Sequence, residues 1–314
     1  MPGEFDVRAG RPPTGPSGLR RGLRIGAGAV TAIGAAGLAT VAWFGSERAL
    51  NPLPIHYDWS LDDYRHLDWE PMVVTGAGDV TLHGRFFPGA GGATVVLNHG
   101  YGDSQDQMLP WAAFLQAAGF NAVTYDMRAR GISDGRYVTL GALEQEDLLA
   151  VIDAVANRPS VDPDRIGVLG VSLGGSVAIL AAARDQRIKA VVDDAGFSDA
   201  PAVIATSFKR FVGLPAFPFA TLSVRLSERR AGVRMSNVRP VDVISAISPR
   251  PVLIIHGTED RAVPTDNSER LYAAVRDPKP IWWVPGARHV ESRVVAREAY
   301  EERVTAFFRE HLAA

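Results

Sequence analysis

The residues best placed to do chemistry centre on Ser172, in the run Gly170-Val171-Ser172-Leu173-Gly174. This is a G-x-S-x-G pattern between a strand-like run, Ile166 to Val171, and a helical one, Ser176 to Ala183. A sharp strand-to-helix turn needs glycines there, because side chains at 170 and 174 would collide with neighbouring backbone. Such a turn lifts a hydroxyl clear of the sheet edge and sets it beside helix N–H groups, which favour developing negative charge. The chemistry implied is nucleophilic attack by a serine oxygen.

A serine hydroxyl needs a base, and the base needs an orienting acid. Of the seven histidines, His289 lies in Pro285-Gly286-Ala287-Arg288-His289, after the last predicted strand and before the final helix. From there an imidazole reaches back across the sheet's C-terminal edge. His256 ends a strand and reads as a packing residue, as do His83, His56, His66 and His311 in their segments. Asp260, in the loop Gly257 to Pro264, is the expected acid and gives the chain order Ser, Asp, His. Its neighbour Glu259, and Asp193 and Asp194 at the end of the preceding strand, are alternatives. The oxyanion hole is expected from the N–H of Leu173 and that of Tyr101 in His99-Gly100-Tyr101-Gly102, with His99 bracing the loop.

The elements that must hold these residues alternate. Strands are predicted at Met72–Thr75, Val80–Phe87, Thr94–Asn98, Asn121–Tyr125, Ile166–Val171, Ile188–Val192, Val252–Ile255 and Ile281–Val284. Helices are predicted at Pro110–Ala118, Leu143–Val155, Ser176–Ala183 and Ala296–His311. That alternation implies an α/β fold with a mostly parallel sheet covered on both faces. It breaks between Gly196 and Ser248, where Phe208, Phe211, Phe217 and Phe219 mix with prolines and arginines. A small helical lid over about 197–248 is expected, within a catalytic domain spanning 71–314.

The 314 residues, 46% apolar, suffice for one large core. A net charge of −2 offers no basic surplus for nucleic acid. With no cysteine, disulfides, thiolate metal sites and a cysteine nucleophile are excluded. The chemistry of a Ser-His-Asp site requires no metal and no organic cofactor.

The N-terminus poses a separate question. Residues 1–22 read as a disordered basic tail, and 23–45 as a transmembrane anchor or signal segment, followed by a linker over 46–70. Arg20, Arg21 and Arg24 precede about twenty uncharged residues, Ile25 to Phe44, enough at ~1.5 Å per residue for the ~30 Å hydrocarbon core. The arginines place the N-terminal side in the cytoplasm and the catalytic domain outside, as a single-pass cell-membrane protein. A cleaved signal, making the protein secreted, and a buried soluble helix are the competing readings.

With these pieces in order, the stretch from about Met72 to Leu312 resembles the α/β-hydrolase superfamily. Within it, the chain is similar to the Bem46-like and YqkD-like serine hydrolases, which often carry an N-terminal membrane segment. The likeness rests on His99 to Gly102, on Tyr125-Asp126-Met127-Arg128-Ala129-Arg130-Gly131-Ile132-Ser133-Asp134-Gly135, on Glu144 and Asp147, and on the elbow, acid loop and His289. Ala129 departs from it, standing where such proteins usually have glycine. The resemblance implies hydrolysis of carboxylic ester or thioester bonds through an acyl-enzyme, on a small-molecule or lipid ester. Short-peptide hydrolysis and a non-catalytic binding protein on the same fold are the rival readings.

Overall fold

The computed structural model describes residues 17–313, with side chains from Gly34 onward apart from that of residue 211. Its strands are β1 (Glu70–Thr75), β2 (Thr81–Phe87), β3 (Thr94–Asn98), β4 (Asn121–Tyr125), β5 (Ile166–Val171), β6 (Ile188–Asp194), β7 (Val252–Gly257) and β8 (Ile281–Val284). They form one sheet in the order β1-β2-β4-β3-β5-β6-β7-β8. β2 pairs antiparallel with both its neighbours, and every other pairing from β4 to β8 is parallel. The helices are α1 (Ser17–Leu50), α2 (Leu109–Ala117), α3 (Glu144–Ala156), α4 (Leu173–Ala182), α5 (Ala200–Ser207), α6 (Thr221–Ala231), α7 (Pro240–Val243), α8 (Asp266–Ala274), α9 (Ser292–Val295) and α10 (Arg297–His311).

The central strands are apolar at nearly every position because both faces are covered, and the period of two divides them between two cores. Val96, Val168, Val191 and Ile254 face α3, α4 and α8. Val95, Leu97, Leu169, Val171, Val192 and Ile255 face α2 and α10. β6 runs two residues past its predicted end, since Asp193 and Asp194 stay in register with Gly170 and Val171. α8 is a helix that no apolar period announces. It buries Leu271 as its one large apolar side chain, alongside Asn267 and Ser268.

The lid consists of α5, α6 and α7 with two π-type turns, Phe208–Val212 and Ala216–Ala220, between the first two. It has its own small core of Leu140, Ile204, Phe208, Ala220 and Met235, to which α1 contributes Leu50. α1 lies along α6. At Gly45 the helix approaches the lid so closely that any Cβ would overlap Phe208 of the first π-type turn and Ser223 of α6. This changes the expected boundary: the helix continues to Leu50, so its last turns belong to the catalytic body rather than to a linker beginning at residue 46.

The expected tail lies, up to residue 16, outside the described residues, and so do the side chains of 23–33 in the expected membrane segment. Among the described residues no helix is long and apolar enough to cross a membrane.

Candidate active site

Ser172 sits between β5 and α4 with φ 53° and ψ −119°, a conformation that costs a non-glycine residue roughly 1–3 kcal/mol. Its surroundings impose it. A Cβ at Gly170 would overlap the Gly174 carbonyl, and one at Gly174 would overlap the backbone of Asn98 and His99. The Ser172 N–H donates to the Asp194 carbonyl at 2.8 Å, tying the turn to β6. α4 starts at Leu173, three residues before its predicted start, so its N-terminal amides abut the serine.

The Ser172 hydroxyl donates to His289 Nε2 at 2.9 Å. The His289 Nδ1–H donates to Asp260 Oδ2 at 2.7 Å. The other oxygen, Asp260 Oδ1, accepts from the N–H groups of Ala262 and Val263, each at 2.9 Å. Burial pushes the Asp260 carboxyl upward, but hydrogen bonds from His256 and His289 outweigh it and hold the group at about 2. It is therefore an anion at neutral pH, suited to fixing the imidazole tautomer.

His256 packs beneath this acid. Its Nε2–H donates to the Val263 carbonyl at 3.0 Å and lies 3.4 Å from Asp260 Oδ2, while Ser268 Oγ stands 2.6 Å from Nδ1. Among the described residues none of the alternatives for the acid hydrogen-bonds to His289. Glu259 is exposed, and Asp194 accepts from Tyr300 at 2.9 Å and Ser292 at 3.1 Å. Among the described residues Asp193 makes no hydrogen bond of good geometry. Burial pushes it up to about 7, partly offset by the His256 charge and the Gly196 amide.

The second expected oxyanion segment lies beside the nucleophile: a Cβ on Gly100 would stand 3.6 Å from Ser172 Cβ. Neither the Tyr101 nor the Leu173 N–H donates to a protein group among the described residues, leaving both for a ligand oxygen. His99 braces the loop as expected. Its Nδ1–H donates to the Gly100 carbonyl at 2.8 Å and its Nε2 accepts from the Met127 N–H at 2.9 Å. Burial pushes its pKa down, so it stays neutral in this role. Gln107 and Asp103 complete the brace. Gln107 Oε1 accepts from the Gly100 N–H at 2.7 Å, and its Nε2–H donates to Asp103 at 2.9 Å. Nothing in the sequence pattern marks these two polar residues, because their partners come from the loop they support.

The triad opens into a cavity of about 710 Å³ whose wall is mostly apolar. Phe197, Val203, Ile204, Phe208 and Val212 come from the lid side, and Val41, Phe44, Arg48 and Ala49 from α1. Leu53 and Ile55, just after α1, complete the rim. The Tyr101 hydroxyl donates to the Arg48 carbonyl, joining the oxyanion loop to α1. Sequence patterning misses α1 as a cavity wall, since an apolar helix far ahead of the catalytic motifs reads as a separate unit. Among the described residues no group of three or more His, Asp or Glu is placed to hold a metal ion.

The remaining matched residues are scaffolding. Arg128 forms a buried bidentate pair with Asp147, both bonds 2.6 Å, and Asp147 also accepts from the Ala77 N–H at 3.0 Å. Glu144 accepts from Thr139 N–H and Oγ at 2.6 Å and from Gly141 N–H at 2.7 Å, holding the loop that delivers Leu140 to the cavity. Ala129 takes φ 57°, a left-handed conformation that accounts for the usual glycine there.

A mostly parallel sheet with its nucleophile on the turn after β5, and an acid and histidine from later loops, defines a serine hydrolase of the α/β-hydrolase type. The chain belongs to the prolyl oligopeptidase family, whose model matches residues 112–314. YfhR of Salmonella typhi is 30% identical over 231 residues, covering 71% of this chain and 75% of that one. YqkD of Bacillus subtilis is 28% identical over 216 residues, 68% and 70% of the two chains, which meets the expected likeness. An esterase of Pyrococcus furiosus superposes with a TM-score of 0.69 and 26% identity, over 84% of this chain and 100% of that one. A puromycin-hydrolyzing peptidase of Mycobacterium tuberculosis, 20% identical with a TM-score of 0.62 over 79% of this chain and 40% of its own, shares the fold alone.

Proposed function

We propose that the protein hydrolyses carboxylic esters or thioesters with an apolar acyl group, through an acyl-enzyme on Ser172. The observation that carries this reading is the Ser172–His289–Asp260 chain at the foot of an apolar cavity. His289 takes the hydroxyl proton as Ser172 Oγ attacks the carbonyl. The N–H groups of Leu173 and Tyr101 receive the oxyanion, and Asp260 stabilises the imidazolium. The same histidine then protonates the leaving group and activates the water that releases the acid. A neutral acyl chain suits the lining better than a peptide does, because among the described residues no carboxylate lines it to meet a free ammonium group.

The test is a panel of p-nitrophenyl esters of rising acyl length set against an aminoacyl-nitroanilide. Esters are expected to be turned over faster, with a preference for medium chains, and Ser172→Ala is expected to abolish both turnover and fluorophosphonate labelling. Faster turnover of the anilide would favour the peptidase reading that family membership also supports. Labelling that persists in Ser172→Ala would remove the nucleophile assignment.

The location we propose is the cell membrane, with residues 23–45 as the anchor and the catalytic domain outside the cytoplasm. In support, Gly34 to Thr40 are exposed apart from a half-buried Leu38. Trp43 and Phe44 are more than half exposed just where the helix reaches the lid. Leu53, Ile55 and Val212 add exposed apolar surface around the cavity mouth.

A further inference from the structure

The elements that wall the cavity are uneven in charge. Among the described residues the lining includes one permanently charged side chain, Arg48, and no carboxylate. Lid residues 200–227 contain Lys209, Arg210 and Arg225 and no acidic residue. On α1, the acid adjacent to Arg48 is Glu47, and its carboxylate is engaged by Arg230 at 2.6 Å. An apolar cavity with a cation at its mouth and no carboxylate in its lining selects by charge as well as by chain.

Arg48 is held where it could do this. It is exposed and lines the cavity, which places it at the mouth. Its guanidinium lies 5.4 Å from the centroid of the Phe44 ring, one turn back along α1. Its backbone carbonyl accepts from the hydroxyl of Tyr101, the residue whose N–H faces the reacting carbonyl in the mechanism above. The helix end itself is pinned, with Leu50 fully buried in the lid core and Ser46 Oγ 3.0 Å from Arg230. The residue at the cavity mouth is thus tied through its backbone to the oxyanion loop.

The geometry points to an amphiphilic substrate: an acyl ester whose chain fills the cavity and whose anionic headgroup is bound at the mouth by Arg48. This rests on the ester-hydrolase reading and narrows its substrate class. A guanidinium offers paired donors to a phosphate or carboxylate, with a charge-assisted strength that a neutral headgroup cannot draw on.

The test compares 1-octanoylglycerol with its 3-phosphate, the same ester and chain with and without the anion, each below its micellar concentration. The wild type is expected to prefer the phosphate by about fivefold or more in kcat/KM, mainly through KM, with the preference shrinking as salt is added. Arg48→Gln is expected to bring the ratio close to one, and Arg48→Lys to restore part of it. Fluorophosphonate labelling of Ser172 in both variants reports that the site is still assembled. A wild-type ratio near one, or a ratio unchanged in Arg48→Gln, overturns the headgroup assignment while leaving ester hydrolysis standing. Turnover of neither ester, together with no labelling of Ser172, removes the ester reading and this inference with it.

Discussion

At the scale of single residues, the buried carboxylates around Ser172 have been given different states by their surroundings. Asp260 is held at about 2 by two histidines despite its burial. Asp193, one strand away and fully buried, is pushed up to about 7. A carboxyl whose native pKa exceeds its ordinary 3.8 binds more protons folded than unfolded, so stability falls as pH rises from about 4 to about 7. Asp193→Asn removes that loss. It is expected to raise unfolding stability at pH 8 by on the order of 2–4 kcal/mol and by little at pH 4. Urea unfolding at the two pH values checks this, and a gain of equal size at both would show that proton linkage is not its source.

At the scale of elements, the sheet's first hairpin and the β4 loop are locked to α3 by the buried Arg128–Asp147 pair, with side chains only 6% and 0% exposed. Arg128 also donates to the Ala77 carbonyl at 2.9 Å, so one guanidinium closes the β1–β2 turn against the helix. Replacing it with alanine leaves Asp147 a buried charge without its partner. The expected cost is roughly 3–5 kcal/mol, read as a lower denaturant midpoint. The double change Arg128→Met with Asp147→Leu should recover much of it, because the desolvation cost disappears along with the pair. If the single change costs less than about 1 kcal/mol, well under the buried-pair range, the pair is not what holds the turn.

At the scale of the whole molecule, α1 joins three parts that the linear order separates: the N-terminal segment, the lid and the site. Its end contributes Leu50 to the lid core and Val41, Phe44 and Arg48 to the cavity. If 23–45 anchors the chain, the catalytic mouth is held close to the lipid surface, and the exposed rim of Phe44, Leu53 and Ile55 faces it. The full chain expressed in a bacterial host is then expected to remain with membranes through carbonate extraction. Recovery of the full-length chain in the soluble fraction would contradict the anchor.

The sequence by itself was sufficient for the sheet and for the turn that carries the serine. Strands covered on both faces must be apolar throughout, and G-x-S-x-G can be read because a tight turn admits glycine alone at two positions, where backbone lies against backbone. Chain order and loop placement then favour Asp260 and His289, with Glu259, Asp193 and Asp194 left open as the acid. Tertiary structure decided the rest. Asp194 is set aside as the catalytic acid by its bonds to Tyr300 and Ser292, and Asp193 because among the described residues it bonds to no base, neither of which a local pattern records. Gln107 and Asp103 brace the oxyanion loop by contacts that are invisible in spacing. α1 becomes a cavity wall because Gly45 lets it lie against the lid, an approach between segments more than 150 residues apart. The nucleophile is encoded locally, whereas the surface that selects its substrate is made by packing between distant elements.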